Sequence, residues 1–393
     1  MAKYKLDELC EFITDGTHQT PEYCEKEGII FLSSKDVTER KIDWNNVKYI
    51  PVSLHEKLCK RLKPRKNDIL LAKNGTTGVA AIVDRDEFFD VYVSLAVLRP
   101  LDNIYPRYLL YAINSPVAKK QFDAGLKGIG VPNLHLGVIR ETVVNIVPRN
   151  EQEKICEILD RVENVINERK QELIALDNLI KGRFVELFGD LADPKCLWSR
   201  FKLVDVCTDK DDIKCGPFGT QLNKDEYQKS GIAVWEIPQI NASFLTQPTH
   251  FLTKEKAEQL KAYTIIPGDI AMSRKGNVGK CALFPDDYPE GIIHSDVLRI
   301  RVDHNKVNPL FLMCQLHFSR AVTRQIEMVS SGAIMAGVNV TKLKQIYIHL
   351  PPLEYQEKFA GFVRKIGKSK VAVQKALEET QLLFDSLMQQ YFG

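Results

Sequence analysis

The sequence lacks the short signatures by which the commoner enzyme chemistries can be read. No G-x-x-x-x-G-K-[ST] loop occurs: Gly276-Asn277-Val278-Gly279-Lys280 has the wrong glycine spacing and runs into Cys281. There is no G-x-S-x-G elbow and no H-E-x-x-H helix. The double proline Pro351-Pro352 follows Leu350, not the Asn or Asp that would hold an exocyclic amine for methylation, and no glycine-rich strand-to-helix turn suits S-adenosylmethionine. The eight histidines are scattered, with none at metal-ligand spacing. Nine cysteines, an odd number without a C-x-x-C pair, argue against a disulfide scaffold and a zinc site. No apolar run approaches a membrane span, and Met1-Ala2-Lys3-Tyr4-Lys5 leads into no apolar segment. Together these absences favour a reduced, cytoplasmic binding protein without a metal.

An excess of charge is also missing. Lys and Arg number 54 against 51 Asp and Glu, a net charge of +3. A chain that covered DNA unaided would be more basic, so a nucleic-acid role would rely on local patches or on partners. The 393 residues, 44% of them hydrophobic and 27% charged, are those of an ordinary globular protein with room for two or three domains.

What is present is a repetition, at a period of about 200 residues. Lys5-Leu6 and Cys10 return as Lys202-Leu203 and Cys207. Asn67-Asp68-Ile69, with Gly75 and Gly78, returns as Gly268-Asp269-Ile270 with Gly276 and Gly279. Val97-Leu98-Arg99 matches Val297-Leu298-Arg299, and Pro148, Gln152, Glu153 and Lys154 match Pro352, Gln356, Glu357 and Lys358. The offset drifts along the chain, so each half keeps its core and varies its loops. Two related halves imply a pseudo-two-fold molecule with two similar but different surfaces, suited to a two-part target.

Each half divides into a mixed α/β part and a long helix. Strands are expected at Ile29 to Leu32, Asp68 to Ala72, Val79 to Val83 and Val91 to Val93, and again at Asp269 to Ser273 and Cys281 to Phe284. Short helices fit Pro106 to Ala112 and Pro309 to His317, each started by proline. After Pro148, apolar residues fall at Ile155, Leu159, Val162, Ile166, Leu173, Leu176, Ile180, Phe184 and Leu187, interrupted by Arg169. After Pro352 they fall at Phe359, Val363, Ile366, Val373, Leu377, Phe384, Leu387 and Tyr391, with Lys370 and Thr380 in the gaps. A seam alternating steps of four and three over about five heptads is a coiled-coil pattern, and each helix would be roughly 50 Å long. The two helices are expected to pair antiparallel; the alternative is that each folds back on its own domain. Arg169 and Lys370 would then fix register. The domains are placed at 1–150, 151–189 (first helix), 190–352 and 353–393 (second helix).

Three pairs of loops carry groups that can meet DNA. The first is Asp15 to Pro21, holding Thr17, His18, Gln19 and Thr20, against Gly216 to Leu222, holding Thr220 and Gln221. The second comprises two hairpin tips: Lys73, Asn74, Gly75, Thr76, Thr77, Gly78, and Arg274, Lys275, Gly276, Asn277, Val278, Gly279. The third is Ser33-Ser34-Lys35-Asp36 against Pro238-Gln239-Ile240-Asn241. Hydroxyl, amide and basic side chains donate to and accept from base edges and phosphates. Plain surface turns explain the glycines equally well, but not the basic residues. The stretch from Lys57 to Lys66 (Lys57, Lys60, Arg61, Lys63, Arg65, Lys66) is either a DNA-backbone patch or a solvated face.

Taken together, the Asp15 to Pro21 phrase, Gly216-Pro217-Phe218-Gly219, the two N/G-D-I…G-x-x-G hairpins and the repeated P-x-x-x-Q-E-K start of a long helix resemble the specificity subunit of type I restriction–modification systems. The resemblance spans essentially the whole chain. It implies two α/β target recognition domains joined by two long helices in an antiparallel coiled coil, each domain reading one half of a bipartite site in double-stranded DNA. It further implies a non-catalytic chain that binds no cofactor, has no membrane role and serves phage defence. Its partners would be two methyltransferase subunits and restriction/translocase subunits, on which S-adenosylmethionine, ATP and Mg are expected. The coiled coil would set the spacer and dock the methyltransferases. A self-contained DNA methyltransferase or nuclease, and a coiled-coil scaffold without a DNA role, are the alternatives.

Overall fold

Short β-branched runs cut by Gly, Asn and Pro form short strands in several small sheets rather than one large one. The computed structural model describes residues 2–25, 27–126, 132–191, 196–330 and 337–393. The chain forms two compact units, one made of residues 1–170 with 375–393 and the other of residues 171–374. Both divisions fall inside long helices, Arg149–Phe188 and Leu353–Phe392. Each unit therefore owns the beginning of one helix and the end of the other.

The first unit is built on a four-stranded antiparallel sheet in the order Cys10–Asp15, Leu95–Pro100, Ile69–Ala72, Ala80–Ile82. A second sheet orders Lys48–Ile50, Ile29–Leu32 and Phe89–Val91, the last two parallel. The sequence expectation of a strand at Val91 to Val93 thus begins two residues late: Tyr92 and Val93 instead pair as single links to Leu32 and Thr17. The second unit repeats the plan. Its four-stranded sheet runs Ile213–Cys215, Val297–Ile300, Ile270–Ser273, Cys281–Leu283. In its second sheet Ile232–Trp235 lies parallel to Gly291–Ile293.

Strand register corrects one of the sequence matches. Leu98 lies opposite Ile69, whereas Ile300 lies opposite Ile270. The counterpart of Arg99 is therefore Arg301, not Arg299, which takes the place of Val97. A slip of two residues keeps every side chain on its own face, so the apolar pattern alone does not expose it. The corrected pairing has a chemical signature. Arg99 donates from Nε and Nη2 to Asp68, both at 2.8 Å, and Arg301 donates likewise to Asp269, both at 2.7 Å. Asp68 and Asp269 are almost wholly buried, and the repeated Asp-Ile phrase is a structural device.

The repeated glutamine at the start of each long helix is structural too. Gln152 accepts from Tyr105 N–H (2.8 Å) and donates to Val147 C=O (2.8 Å). Gln356 accepts from Asn308 N–H (2.9 Å) and donates to Pro351 C=O (2.8 Å). Both amides are 1% exposed. Each clips its helix to the backbone preceding a short proline-started helix, Pro106–Ile113 or Pro309–Phe318.

Within each unit the two helix segments run antiparallel. In the first unit, Arg169 Nη1 donates to Ala376 C=O and Thr380 Oγ1, while Ile155 and Leu159 share a core with Phe384, Met388 and Phe392. In the second, Lys370 Nζ donates to Asp177 Oδ1 at 2.6 Å, and Phe184 and Phe188 meet Phe359 at ring distances of 5.5 Å. The polar residues that interrupt the seam are satisfied across it, as a register device requires. The helix ends also pack on the domain of their own unit: Phe392 lies 5.0 Å from Tyr108, and Phe188 lies 4.9 Å from Phe311. There the buried line runs Phe384, Met388, Phe392 and Ile180, Phe184, Phe188, leaving Leu387, Tyr391 and Leu187 only half-buried. Repeated steps of four advance the stripe by about 40° each around the helix, from the seam onto the domain.

Gln356→Ala would strand the Asn308 N–H and the Pro351 C=O in the core. The expected loss is about 2 kcal/mol of unfolding free energy, measured by denaturant unfolding. A change below about 0.5 kcal/mol would show that the clip is dispensable.

Candidate nucleic-acid interface

The first recognition loop leaves its strand at a point where only glycine fits. A Cβ on Gly16 would sit 1.8 Å from Val91 O, and one on Gly216 would sit 2.3 Å from His294 O. Thr17 is fastened on both sides, N–H to Val91 C=O at 3.1 Å and C=O to Val93 N–H at 3.0 Å. Beyond it His18, Gln19 and Thr20 are exposed. His18 Nε2 lies 3.3 Å from Asp15 Oδ1, and Thr20 Oγ1 lies 3.4 Å from the Tyr92 hydroxyl.

Three loops converge in the first unit. Ser34 Oγ donates to Asn74 Oδ1 (2.8 Å), and Thr76 Oγ1 donates to Val37 C=O (2.9 Å), tying the Ser33–Asp36 turn to the hairpin tip. Lys73 Nζ reaches Asp15 Oδ2 at 2.5 Å, tying the tip to the first loop. Two candidates are thereby corrected. Lys73 and Ser34 are buried, the first neutralised by its carboxylate and the second held by Ser94 Oγ on its N–H at 3.0 Å. Neither presents its polar group to a ligand. Ser33 is half-exposed, with its N–H and hydroxyl on Asp36 at 2.6 and 3.0 Å, and the Asn74 carbonyl accepts from Ser34. Thr17, His18, Gln19, Thr20, Ser33, Lys35, Asn74, Thr76 and Thr77 are exposed or half-exposed.

In the second unit the equivalent of the Ser33–Asp36 turn is Glu236 to Gln239, where Glu236 N–H donates to Gln239 Oε1 at 3.2 Å; the match to Pro238 through Asn241 is two residues out. Gln239 is 2% exposed and donates to Gln247 C=O at 3.1 Å, so it too is a scaffold residue. Asn241, Thr220, Gln221 and Asn277 are exposed, while Arg274 and Lys275 are half-buried. Gln221 Oε1 accepts from Phe218 N–H (3.1 Å) and Tyr263 OH (3.0 Å). Arg274 lies over the Phe218 ring, 4.7 Å from its centroid, and Lys275 Nζ lies 2.8 Å from Asp296 Oδ1.

The supporting roles of some residues were not legible in the sequence. Arg61, within the basic stretch, donates to Asp15 C=O at 2.7 Å and so braces the first loop. Arg65 is 3.7 Å from Glu11, whereas Lys57, Lys60 and Lys66 stay exposed. Tyr92 and Phe218 flank the loops; the sequence signal for Phe218 is its place in the Gly216-Pro217-Phe218-Gly219 phrase. Among the described residues no group of His, Cys, Asp or Glu is placed to hold a metal ion, and no helix is long and apolar enough to cross a membrane.

Burial alone would raise the Asp15 carboxyl, but the hydrogen bond and charge of Lys73, helped by His18, hold it below the usual carboxylate range. This stabilisation is present above the unfolded carboxyl's pKa of about 3.9 and is lost as pH falls through the depressed folded value. Asp15→Asn leaves the buried ammonium unpaired and is expected to cost about 3–5 kcal/mol near neutral pH. It should also flatten the acid limb of a stability–pH profile. An unchanged acid limb would show that the pair carries no such linkage.

The profile of the type I restriction modification DNA specificity domain matches residues 1–176 and again residues 197–380. A curated relative named as the MjaX type I restriction enzyme specificity subunit, from Methanocaldococcus jannaschii, is 23% identical over 95% of this chain and 89% of its own. The EcoBI specificity subunit of Escherichia coli is 28% identical over 42% of this chain and 36% of its own. Among solved structures, the type I restriction-modification S subunit from M. genitalium aligns with a TM-score of 0.57 at 14% identity, covering 100% of this chain and 96% of that one. A chain from a structure of type I R-M complex assembly gives a TM-score of 0.51 at 17% identity, covering 99% and 97%. These solved structures share the fold, two mixed α/β units with long helices, and the twofold match of the profile makes this chain a member of the type I restriction–modification DNA specificity family.

Proposed function

We propose that each unit reads one half of a bipartite sequence in double-stranded DNA, through recognition domains at residues 1–150 and 190–352. The observation that carries this is the duplication of one scaffold under different exposed side chains. Buried Asp–Arg pairs and helix clips are kept in both units, while His18, Gln19, Thr20, Lys35, Thr76 and Thr77 give way to Thr220, Gln221, Asn241, Arg274, Lys275 and Asn277. A constant frame with variable rims is what modular recognition needs.

In this reading the long helices, 151–189 and 353–393, set the spacer between the two halves and dock two methyltransferase subunits, with restriction/translocase subunits joining the assembly. The chain does no chemistry of its own and binds no cofactor; S-adenosylmethionine, ATP and Mg belong to those partners. It works in the cytoplasm, where the DNA is. The near-neutral net charge of +3 suits a protein that shares its DNA contacts with others.

Exchanging residues 1–150 for those of a relative should change one half of the methylated sequence and leave the other intact, as read by mapping methylated adenines in the host genome. A change in both halves would defeat the modular reading. Purified chain given labelled S-adenosylmethionine and DNA should transfer no methyl group until methyltransferase subunits are added; transfer by the chain alone would make it an enzyme.

A further inference from the structure

The two units differ in charge at one equivalent place. In the first, Lys73 follows strand Ile69–Ala72, its N–H on Ser94 C=O at 2.8 Å and its ammonium 2.5 Å from Asp15 Oδ2. In the second, Arg274 follows strand Ile270–Ser273, its N–H on Asp296 C=O at 2.8 Å. Register identifies the residue that replaces Asp15. Asp15 lies opposite Ala96, and Ala96 opposite Leu71; Cys215 lies opposite Leu298, and Leu298 opposite Met272. A thiol thus stands where the first unit has a carboxylate. Burial pushes the Cys215 thiol up, so it remains neutral.

No other acid substitutes for it. Among the described residues no carboxylate forms an ion pair with Arg274, and Asp296, the nearest in sequence, is engaged by Lys275 at 2.8 Å. The guanidinium is nonetheless fixed. Its Nε donates to Val338 C=O at 3.2 Å, and its central carbon sits 4.7 Å from the centroid of Phe218, a ring 47% exposed at the surface. Its terminal amino groups meet no acceptor among the described residues. A planar fork braced on an aromatic face, its terminal donors unused by the described residues, matches the paired O6 and N7 acceptors of guanine; an ammonium would offer only a point charge.

We infer that Arg274, positioned by Phe218 and left unpaired by Cys215, selects a guanine in the half of the DNA sequence read by the second unit. This rests on the reading of these loops as the DNA interface. Lys73, neutralised by Asp15, makes no such contact at the equivalent place in the first unit.

The test begins with the sequence recognised in the host, obtained from its methylated adenines. The full chain with the methyltransferase subunits of its own system is titrated with duplexes in which each guanine of that half is replaced in turn by 7-deazaguanine, which lacks only the N7 acceptor. One replacement should weaken binding roughly 5- to 150-fold for the native chain, and should have no effect on Arg274→Ala or on Arg274→Lys, which keeps the charge but not the fork. Cys215→Asp, which recreates the ion pair of the first unit, should show the same loss and the same insensitivity, with recognition of the other half unchanged. Thermal melting identifies any variant that fails to fold, and Arg274→Lys then carries the decision. A half-site without guanine, an Arg274→Ala chain that still senses 7-deazaguanine, or an equal loss on all sequences would overturn the inference. The triple variant Thr220→Ala, Lys275→Ala, Asn277→Ala separates the two levels. If it binds DNA as the native chain does, the interface reading fails; if it binds weakly while Arg274→Ala does not, only the role of Arg274 fails.

Discussion

Asp68 and Asp269 are carboxylates taken almost wholly out of water, and each is tenable there because a guanidinium from the neighbouring strand or the residue just after it meets it with two hydrogen bonds. A backbone N–H completes each set, from Arg65 to Asp68 and from Ile266 to Asp269, both at 2.9 Å. Losing either partner of such a pair leaves an uncompensated buried charge, which confines the strands to one register. Everything functional follows from that register. Lys73 and Arg274 leave the ends of the pinned strands, and Asp15 and Cys215 end the edge strand of the same sheet, one strand away. The hairpin tips and first loops are brought together by the frame, not by their own contacts alone.

On this shared frame the two units have diverged by changing what a given backbone position carries. The turns at Glu39-Arg40 and Ser243-Phe244 are an example. Both consist of two consecutive non-glycine residues in the left-handed region, with φ of 48° and 62° in the first and 50° and 61° in the second. Such a conformation is maintained only where the surroundings over-determine it. In the first unit the turn delivers Arg40 onto the Phe384 ring at 4.6 Å and within 3.5 Å of Glu163. In the second, the same turn delivers Phe244 into the core, against Trp235 and Phe284 at 5.4 and 5.1 Å. The second helix correspondingly has Gly367 where the first has Glu163.

Much of the scaffold was legible in the residue pattern. The helix starts, the proline-started short helices and most strands fall where periodicity and turn residues put them, because those signals are local. The seam residues Arg169 and Lys370 are also where a register device should be, each satisfied across the helices of its unit. The pattern misled where two arrangements satisfy it equally. Matching Arg99 to Arg299 is one such case, since a slip of two residues preserves the alternation of faces. Assigning Leu387 and Tyr391 to the buried line is another, because a continuing heptad and a stripe that turns onto the domain differ only in the domain's presence.

The sequence by itself determined that the chain is a duplication, that each half pairs a small α/β domain with a long amphipathic helix, and which loops are free to vary. These properties lie in spacing and composition, which the chain carries whether folded or not. Only the tertiary structure decided which loop side chains meet solvent. Lys73 and Arg274 are both basic residues at hairpin tips, and nothing near them in sequence separates their roles. The difference is made by Asp15, 58 residues from Lys73, and by the thiol in its place in the other unit. A charge is exposed or neutralised by whatever the fold puts beside it, and that neighbour is set by strand register rather than by proximity along the chain.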